Sequence, residues 1–299
     1  METTKYIWHN GELVPWEDCK VHILTHTLHY GGGVFEGIRA YEVDGRAAIF
    51  RLKKHIDRFI YSTGVLNMKL GYSHEELCSA IVELVRNNGI THGYIRPLAY
   101  YGYGKMGLSP IGAPTEIAIA CWPWGAYLPH DAVDIKISSY TRIPPSSVIV
   151  DAKICGYYAN SILASLEVHG TKYHEALLLD VEGNVAEGPG ENLFIVKNGI
   201  IYTPQPGFLL AGITRDALIA IAQSFGHSVE NKKLTPEDVY DADEAFFTGT
   251  AAEVAPIRSI DDNIIGDGKV GPLTTKLKEE FDSVTSGQSE AFMHYLTLV

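Results

Sequence analysis

Two Asn-Gly dipeptides, each lying between short apolar runs, place the strongest constraint on how this 299-residue chain folds. Asn10-Gly11 and Asn198-Gly199 both interrupt strand-like sequence, and this dipeptide favours the two-residue turn of a β-hairpin. A further turn at Glu182–Asn184 separates strand-like runs in the second half of the chain. The sequence therefore predicts hairpins in both halves and, in the second half, a sheet that is at least partly antiparallel.

A break in the strand pattern predicts where the chain divides into domains. Trp122–Pro129 contains two prolines and a glycine, and a strand-like run begins after it at Val133. We expect a domain boundary here, because boundaries fall in segments of this composition. The predicted division is a first domain at residues 1–124, an interdomain loop at 125–133 and a second domain at 134–299.

Helical patterns alternate with the strands in both halves. Lys53–Asn67 has apolar residues at helical spacing, and a capping box at Ser73–Glu76 opens a helix that Asn87–Gly89 closes. In the second half we expect helices at Thr214–Phe225 and Leu273–Val284. Mixed helices and strands predict the α/β (α+β) fold class.

Composition excludes several classes of partner. The net charge of -12 argues against nucleic acid or an anionic membrane as the main partner. No apolar run is long enough to cross a bilayer, and no signal peptide is recognisable, so a cytoplasmic location is expected. The four cysteines are far apart and include no Cys-x-x-Cys pair, which predicts reduced thiols and no metal site.

The segment Asp151–Asn160 places Lys153 among small, apolar and aromatic residues, just before the helical run Ser161–Leu166. Loss of hydration in such surroundings disfavours the ammonium form and leaves an amine that can attack a carbonyl carbon to form a Schiff base. A lysine that snorkels at the start of a helix is the alternative interpretation of this segment alone. The nearby Cys155 is interpreted as a packing residue rather than a nucleophile.

Two segments have the pattern of an anion site. Gly212–Asp216 leads directly into an amphipathic helix, where backbone N–H groups and the Thr214 hydroxyl suit a phosphate group. Gly249–Ala252 follows a buried-looking strand in the same manner. Taken singly, each has a structural alternative, with Thr214 as an N-cap and Gly249 as a turn residue.

A Gly- and Pro-rich turn at Asn184–Asn192 carries two acids, Glu187 and Glu191. A carboxylate fixed in a rigid turn could keep a ring nitrogen protonated, whereas a solvated loop acid is the alternative for either residue. A Schiff-base lysine, an acid for a pyridine nitrogen and two phosphate sites together indicate pyridoxal 5'-phosphate (PLP) as the cofactor.

Six segments carry more specific motifs, and they are Tyr30–Gly31, Val34–Tyr41, Tyr94–Leu98, Glu187–Phe194, Gly212–Arg215 and Gly249–Glu253. In this order they resemble the branched-chain amino acid aminotransferases of the class IV (fold type IV) PLP-dependent family. The resemblance implies a two-domain fold type IV enzyme. Its small N-terminal domain is α/β, and its larger C-terminal PLP-binding domain has a mixed, largely antiparallel sheet or barrel.

The resemblance implies a role for each matching residue at the cofactor. Lys153 matches the catalytic lysine, which forms the Schiff base and moves a proton between Cα and the cofactor. Glu187 matches the acid on the pyridine nitrogen, Tyr158 the phenol beside the 3-oxygen, and Leu210 the residue packed against the ring. The matching phosphate-binding set is Arg58, Ile213, Thr214, Gly249 and Thr250.

The same resemblance implies how substrates are selected. Six residues resemble a pocket for the aliphatic side chain and the α-carboxylate, and they are Phe35, Tyr94, Trp124, Tyr127, Thr250 and Ala251. Tyr30, Leu108 and Arg96 resemble the residues that also admit the γ-carboxylate of glutamate. In the family, Tyr30 and Leu108 reach the site from the neighbouring subunit, so at least a homodimer is expected.

The expected reaction is transamination of L-leucine, L-isoleucine and L-valine with 2-oxoglutarate, giving branched 2-oxo acids and L-glutamate. A (R)-amine or D-amino acid aminotransferase of the same fold is an alternative, because only the pocket separates these enzymes. An aminodeoxychorismate lyase and a non-catalytic PLP-binding protein are alternatives from other functional classes.

Overall fold

The computed structural model describes residues 2–125, 128 and 131–299, which form two compact units. Unit 1 contains Met1–Gly125, Ala152–Tyr157 and Val284–Val299, and unit 2 contains Ala126–Asp151 and Tyr158–Ser283. The predicted division at residues 124 and 134 follows chain order, whereas these compact units interleave in sequence. The domain boundaries themselves stay a prediction.

Unit 1 is built on one sheet, sheet A, in which every described strand pair is antiparallel. The strands are β1 (Tyr6–His9), β2 (Glu12–Pro15), β3 (Gly33–Phe35), β4 (Ile38–Val43), β5 (Arg46–Phe50), β6 (Gly93–Tyr101), β7 (Thr115–Trp122) and, from the last segment, β17 (Leu296–Leu298). Their order in the sheet is β17-β5-β4-β6-β7-β1-β2, with β3 paired to β6.

Three α-helices accompany sheet A in the described part of unit 1, and they are α1 (His26–Tyr30), α2 (Leu52–Val65) and α3 (His74–Asn88). The capping box predicted at Ser73 and Glu76 is confirmed, and Gly89 ends α3 in a left-handed conformation. The apolar faces of α2 and α3 pack in the core of unit 1 through residues such as Phe59 and Ile81. The predicted Asn10-Gly11 hairpin is confirmed as the β1–β2 turn.

Unit 2 is built on a second sheet, sheet B. The strands are β8 (Val133–Thr141), β9 (Glu175–Leu179), β10 (Val185–Glu187), β11 (Asn192–Lys197), β12 (Ile200–Pro204), β13 (Val229–Lys232), β14 (Glu244–Gly249), β15 (Glu253–Ile260) and β16 (Asn263–Ile264). Their order in the sheet is β10-β9-β8-β15-β14-β11-β12-β13, with β16 paired to β15. The pairs β8–β9, β8–β15 and β12–β13 are parallel and the other described pairs are antiparallel, so the sheet is mixed as predicted.

The helices that begin in unit 2 are α4 (Tyr158–Val168), α5 (Ile213–Ser224), α6 (Pro236–Tyr240) and α7 (Pro272–Thr285). Short 3-10 helices cover Trp16–Asp18, Cys155–Tyr157 and Glu290–Tyr295. The fully buried side chains of Leu193 and Phe247 lie in the core around sheet B. In the part of the chain that the structure describes, no helix combines the length and apolar character needed to span a bilayer.

Candidate active site

Lys153 lies in the short segment of unit 1 that follows Ala152, and backbone hydrogen bonds fix it there. Its carbonyl accepts from the N–H of Phe35 at 3.2 Å, and its own N–H donates to Ser62 Oγ at 3.0 Å. The next residue, Ile154, forms an isolated β-bridge with Val34. The backbone of Lys153 is therefore held between the end of β3 and one face of helix α2.

The amine of Lys153 is in the environment that the sequence predicts. Its Nζ lies 4.8 Å from the centre of the Phe35 ring. Burial, followed by the nearby charge of Arg58, lowers the pKa of Lys153 to about 8, although Glu36 acts in the opposite direction. A substantial fraction of this amine is therefore neutral near physiological pH, which a nucleophile or proton acceptor requires.

Arg58 is held by a buried carboxylate that sequence reasoning missed. Glu36 is 0% exposed, and its Oε1 accepts from Arg58 Nε at 2.6 Å while its Oε2 accepts from Arg58 Nη2 at 2.9 Å. The ring of His55 lies against the same carboxylate, with Nδ1 at 2.8 Å from Oε2. Since His55, Arg58 and Ser62 recur at helical spacing, α2 presents all three side chains on one face.

The charges in this cluster determine its protonation. Burial alone would raise the pKa of Glu36, but the charge of Arg58 and the hydrogen bond with His55 hold it well below its usual range. Burial lowers the pKa of His55, and the hydrogen bond with Glu36 offsets only part of that effect. At neutral pH the cluster is therefore a Glu36–Arg58 ion pair beside a neutral imidazole. The signal in the sequence was an acid inside the apolar, glycine-rich run Gly31–Gly37.

Four predicted substrate residues of unit 1 lie together. The guanidinium carbon of Arg96 lies 4.8 Å from the Phe35 ring centre, and Arg96 Nη2 donates to the Tyr94 hydroxyl at 3.3 Å. The ring of Trp124 meets that of Tyr94 edge-on, at 4.4 Å between centres. Arg39 Nη2 donates to the carbonyls of Trp124 and Gly125, at 3.4 and 3.0 Å.

This cluster combines aromatic walls with a cation. The Nε atom of Arg96 is buried and has no hydrogen-bond partner among the described residues. Such a donor suits an anionic oxygen, because a buried polar group without a partner is costly. Tyr127, predicted for the same pocket, lies outside the described residues.

Tyr30 and Leu108 lie together on the surface of unit 1. Leu108 is 85% exposed and Tyr30 is 41% exposed. The two are linked through Gly107, whose N–H donates to the Tyr30 hydroxyl at 3.3 Å. They are thus adjacent and open to solvent in a single chain.

In unit 2, Glu187 is a buried carboxylate at the end of β10. Its Oε1 accepts from Arg142 Nε at 2.5 Å, and its Oε2 accepts from Asn192 Nδ2 at 3.2 Å and from the N–H of Leu210 at 3.0 Å. These donors stabilise the charged carboxylate. Sequence reasoning missed Arg142 and Asn192 as partners of Glu187.

The two acids of the predicted turn have different partners. Glu191 is also buried, and its Oε2 accepts from the N–H of Gly190 at 3.0 Å. Neither acid is the solvated loop residue that was the alternative interpretation. Leu210 is tied to the Glu187 group twice, because its carbonyl also accepts from Asn192 Nδ2 at 3.1 Å.

The predicted phosphate segments of unit 2 lie at element ends. Helix α5 begins at Ile213 with Gly212 as its N-cap residue, so Thr214 lies inside the first turn and is not the N-cap. Gly249 ends β14, and a Cβ atom built there would lie 3.2 Å from the carbonyl oxygen of Gly190. Thr250 and Ala251 follow in the turn before β15. Tyr158 is the first residue of α4.

Taken unit by unit, these groups are of the kinds that a cofactor with an aldehyde, a phosphate and a ring nitrogen requires. Lys153 supplies an amine of low proton affinity, and Glu187 supplies a carboxylate whose negative charge is held by Arg142. The N-terminus of the 12-residue helix α5 supplies N–H groups suited to a phosphate.

Comparison with known proteins identifies the family. The family model described as amino-transferase class IV matches residues 33–260. The branched-chain-amino-acid aminotransferase of Pseudomonas aeruginosa is 46% identical over 297 residues, which cover 98% of this chain and 97% of that protein. The enzyme of the same name from Escherichia coli (strain K12) is 42% identical and covers 96% of each chain.

Solved structures agree with this similarity. The Thermobaculum terrenum branched-chain amino acid aminotransferase in its PLP-form superposes with a TM-score of 0.94 at 36% identity and covers 100% of this chain and 99% of that chain. The Thermoproteus uzoniensis branched-chain aminotransferase with norvaline gives a TM-score of 0.95 at 41% identity and 99% coverage of each chain. The chain therefore belongs to the class IV aminotransferase family.

Proposed function

We propose that this chain is a PLP-dependent branched-chain amino acid aminotransferase. It transfers the amino group of L-leucine, L-isoleucine or L-valine to 2-oxoglutarate and releases branched 2-oxo acids and L-glutamate. The observation that carries the proposal is the amine of Lys153 beside Phe35, with Arg96 against the same ring. A reactive amine thus adjoins a group that can select substrates, in a chain 46% identical to a protein of that name.

The cofactor-binding residues are proposed from both units. When bound, PLP supplies an electron-withdrawing ring that stabilises negative charge at the substrate Cα. Lys153 would hold it covalently, and Glu187 would keep its ring nitrogen protonated. Tyr158 would serve the 3-oxygen and Leu210 would pack against the ring. The residues that would bind the phosphate group are Arg58, Ile213, Thr214, Gly249 and Thr250.

Lys153 is the proposed proton carrier as well as the attachment point. A side chain with a pKa of about 8 can accept a proton from the substrate Cα at neutral pH and return one in the reverse half-reaction. Glu36 keeps the Arg58 guanidinium oriented by accepting from two of its nitrogens. Arg142 orients the Glu187 carboxylate by donating to it from Nε.

Substrate choice follows from a pocket of dual character. Phe35, Tyr94 and Trp124 offer aromatic walls for an aliphatic side chain. Tyr127, Thr250 and Ala251 are proposed to line the same pocket. Arg96 offers the cation that the γ-carboxylate of glutamate requires, with Tyr30 and Leu108 shaping the same end of the pocket. The buried Nε of Arg96 supports this assignment because it gains a partner when a carboxylate binds.

A homodimer or higher homo-oligomer is proposed as the working form. Large apolar side chains are exposed in the segment before α1 and in the loop between β6 and β7, where Ile23 is 73% exposed, Leu108 is 85% exposed and Ile111 is 80% exposed. Exposed apolar surface of this kind marks association sites. In such a dimer Tyr30 and Leu108 serve the partner subunit's active site. The cytoplasm is the proposed location.

The test is to follow the visible absorption of the purified holoenzyme in separate aliquots with one amino donor and no acceptor. L-leucine and L-glutamate are expected to discharge the band of the bound cofactor, whereas D-alanine and an (R)-amine leave it unchanged. A reaction with D-alanine or the (R)-amine but not with L-leucine would show that the substrate assignment is wrong. Release of pyruvate from aminodeoxychorismate without an amino acceptor would indicate a lyase instead.

Arg96→Gln tests the pocket within the same assay. The half-reaction with L-glutamate should slow by about tenfold or more, the size of a hydrogen bond to a charged group, while L-leucine is affected less. Arg86→Gln is the matched control, because Arg86 is an exposed residue near the end of α3. Equal losses for L-glutamate and L-leucine would refute the role of Arg96 in carboxylate recognition.

A further inference from the structure

The loop between β6 and β7 carries Leu108 and is rich in glycine. Gly104, Gly107 and Gly112 all adopt positive φ angles, of 125°, 102° and 88°. Glycine pays a large conformational entropy to be held in one such conformation. Contacts from outside the loop therefore contribute to fixing where Leu108 lies.

Gly107 provides those contacts through both of its backbone polar groups. Its N–H donates to the Tyr30 hydroxyl at 3.3 Å, and its carbonyl oxygen accepts from His26 Nε2 at 2.8 Å. His26 and Tyr30 are the first and last residues of α1. The loop is thus attached to one short helix at the residue next to Leu108.

His26 is the buried member of this arrangement. It is 2% exposed, and its ring centre lies 4.7 Å from that of Tyr30 and 5.7 Å from that of Tyr101. Its backbone N–H donates to the Gly102 carbonyl at 3.1 Å. A carbonyl oxygen can only accept, so the ring proton is on Nε2. Nδ1 is buried and has no partner among the described residues, so no other hydrogen bond determines how the ring is oriented.

We propose that His26 is a positioning residue that acts across the subunit interface: through Gly107 it fixes Leu108 and Tyr30 for the partner subunit's substrate pocket. The inference rests on the proposed function, in which these two residues reach the neighbouring site. It extends that function by assigning a buried residue, which contacts no substrate, to the recognition of glutamate and 2-oxoglutarate.

His26→Ala removes the donor to Gly107 and leaves Lys153 and Glu187 unchanged. We expect the KM for L-glutamate and 2-oxoglutarate to rise about tenfold, as for the loss of one hydrogen bond, with kcat and the KM for L-leucine within about threefold of wild type. His26→Gln should restore the KM, because its amide N–H reaches the position of Nε2, whereas the shorter His26→Asn should not.

His29→Ala is the matched control. His29 is also on α1, and its Nε2 donates to the carbonyl of Ile23 at 2.9 Å. It is exposed, its ring centre lies 6.1 Å from that of Tyr30, and among the described residues it makes no hydrogen bond with Gly107. Its kinetic constants should stay at wild-type values. If His29→Ala raises the KM as His26→Ala does, general disturbance of α1 explains the effect and the proposal is wrong.

The decisive experiment uses mixed dimers. Chains carrying His26→Ala and chains carrying Lys153→Ala are co-expressed with different tags, and the mixed species is isolated by two affinity steps. Its single lysine-bearing site receives Tyr30 and Leu108 from a subunit with intact His26, so its KM for L-glutamate should be that of wild type. A KM as high as in the His26→Ala homodimer would show that His26 acts within its own subunit and would overturn the proposal.

Light scattering on the wild-type holoenzyme separates this failure from failure of the proposed function. A monomer would refute the proposed dimer, and the inference with it. A dimer whose mixed species keeps the raised KM would refute only the role of His26.

Discussion

Replacing Glu36 by glutamine tests whether the buried ion pair with Arg58 holds unit 1 together. The substitution keeps the shape of the side chain but removes a charge that is 0% exposed, leaving Arg58, whose side chain is only 12% exposed, without its counter-ion. Removing one partner of a buried pair typically costs about 3–5 kcal/mol. Because the amide can still accept one hydrogen bond from Arg58, we expect about 3 kcal/mol of lost stability.

Urea unfolding followed by tryptophan fluorescence is a suitable assay. All four tryptophans, Trp8, Trp16, Trp122 and Trp124, belong to unit 1, so the signal reports the unit that contains Glu36. The protein is compared without cofactor, so that cofactor binding does not enter the free energy of unfolding. Glu83→Gln is the control, since it makes the same chemical change at an exposed site on α3. A loss below about 1 kcal/mol for Glu36→Gln would refute the reasoning.

The pH dependence of the unfolding free energy gives a second test of whether Glu36 is ionised in the folded protein. The folded-state pKa of Glu36 is lowered from the ordinary 4.5, so its contribution is fully present above pH 4.5 and is lost as the pH falls toward the folded-state pKa. Because the neighbouring His55 also titrates in this range and its pKa depends on Glu36, Glu36→Gln is compared with its parent in a His55→Gln background. The difference in stability between these two proteins should be constant from about pH 7 to about pH 5.5 and decrease below pH 4.5. A difference that grows on acidification would contradict the assignment of Glu36 as an ionised partner of Arg58.

Three further predictions concern single features. In cofactor-free protein, acetylation of Lys153 by acetic anhydride, measured by peptide mass spectrometry, should rise with pH through a midpoint near pH 8, because only the neutral amine reacts. Lys172, whose pKa is raised by Asp262, should react only at higher pH, and a midpoint for Lys153 above about pH 9.5 would contradict the buried amine. Gly31→Ala should destabilise unit 1 more than Gly45→Ala in the same urea assay. Both glycines have positive φ, but only at Gly31 would an added Cβ meet backbone, at 2.8 Å from Gly156 Cα. Equal losses of roughly 1–2 kcal/mol would show that backbone strain alone, and not the contact with Gly156, explains the destabilisation. Ser73→Ala should cost about 1 kcal/mol by removing the N-cap of α3, and a loss no larger than that of the mid-helix change Ser79→Ala would show that the cap contributes nothing.

Local sequence signals predicted local structure well. The Asn10-Gly11 hairpin and the Ser73 capping box depend on residues within a few positions of each other, and both are present. Arg96 lies within β6, in the strand expected from its neighbours. The burial of the Lys153 amine also follows from its immediate sequence, because the residues directly beside it are small or apolar.

Contacts between distant segments were not predictable in this way. Glu36 and Arg58 are 22 positions apart, and Arg142 and Glu187 are 45 positions apart. Each pair is specified by tertiary packing that brings two elements together, and neither partner has a local pattern that names the other. The parallel pairing of β8 with β9 and β15 has the same origin, since hairpin signals indicate only antiparallel neighbours.

The interleaving of the two units in sequence has a consequence for synthesis on the ribosome. Strand β17 pairs with β5 and covers that edge of sheet A, with Leu296 opposite Phe50. Residues 296–298 are translated only after the whole of unit 2. Until then, the edge of β5 that pairs with β17 in the folded protein has no partner strand. An open strand edge is a template for wrong pairing. Expression yield should therefore depend on translation speed and chaperone supply more strongly than the stability of the finished protein suggests.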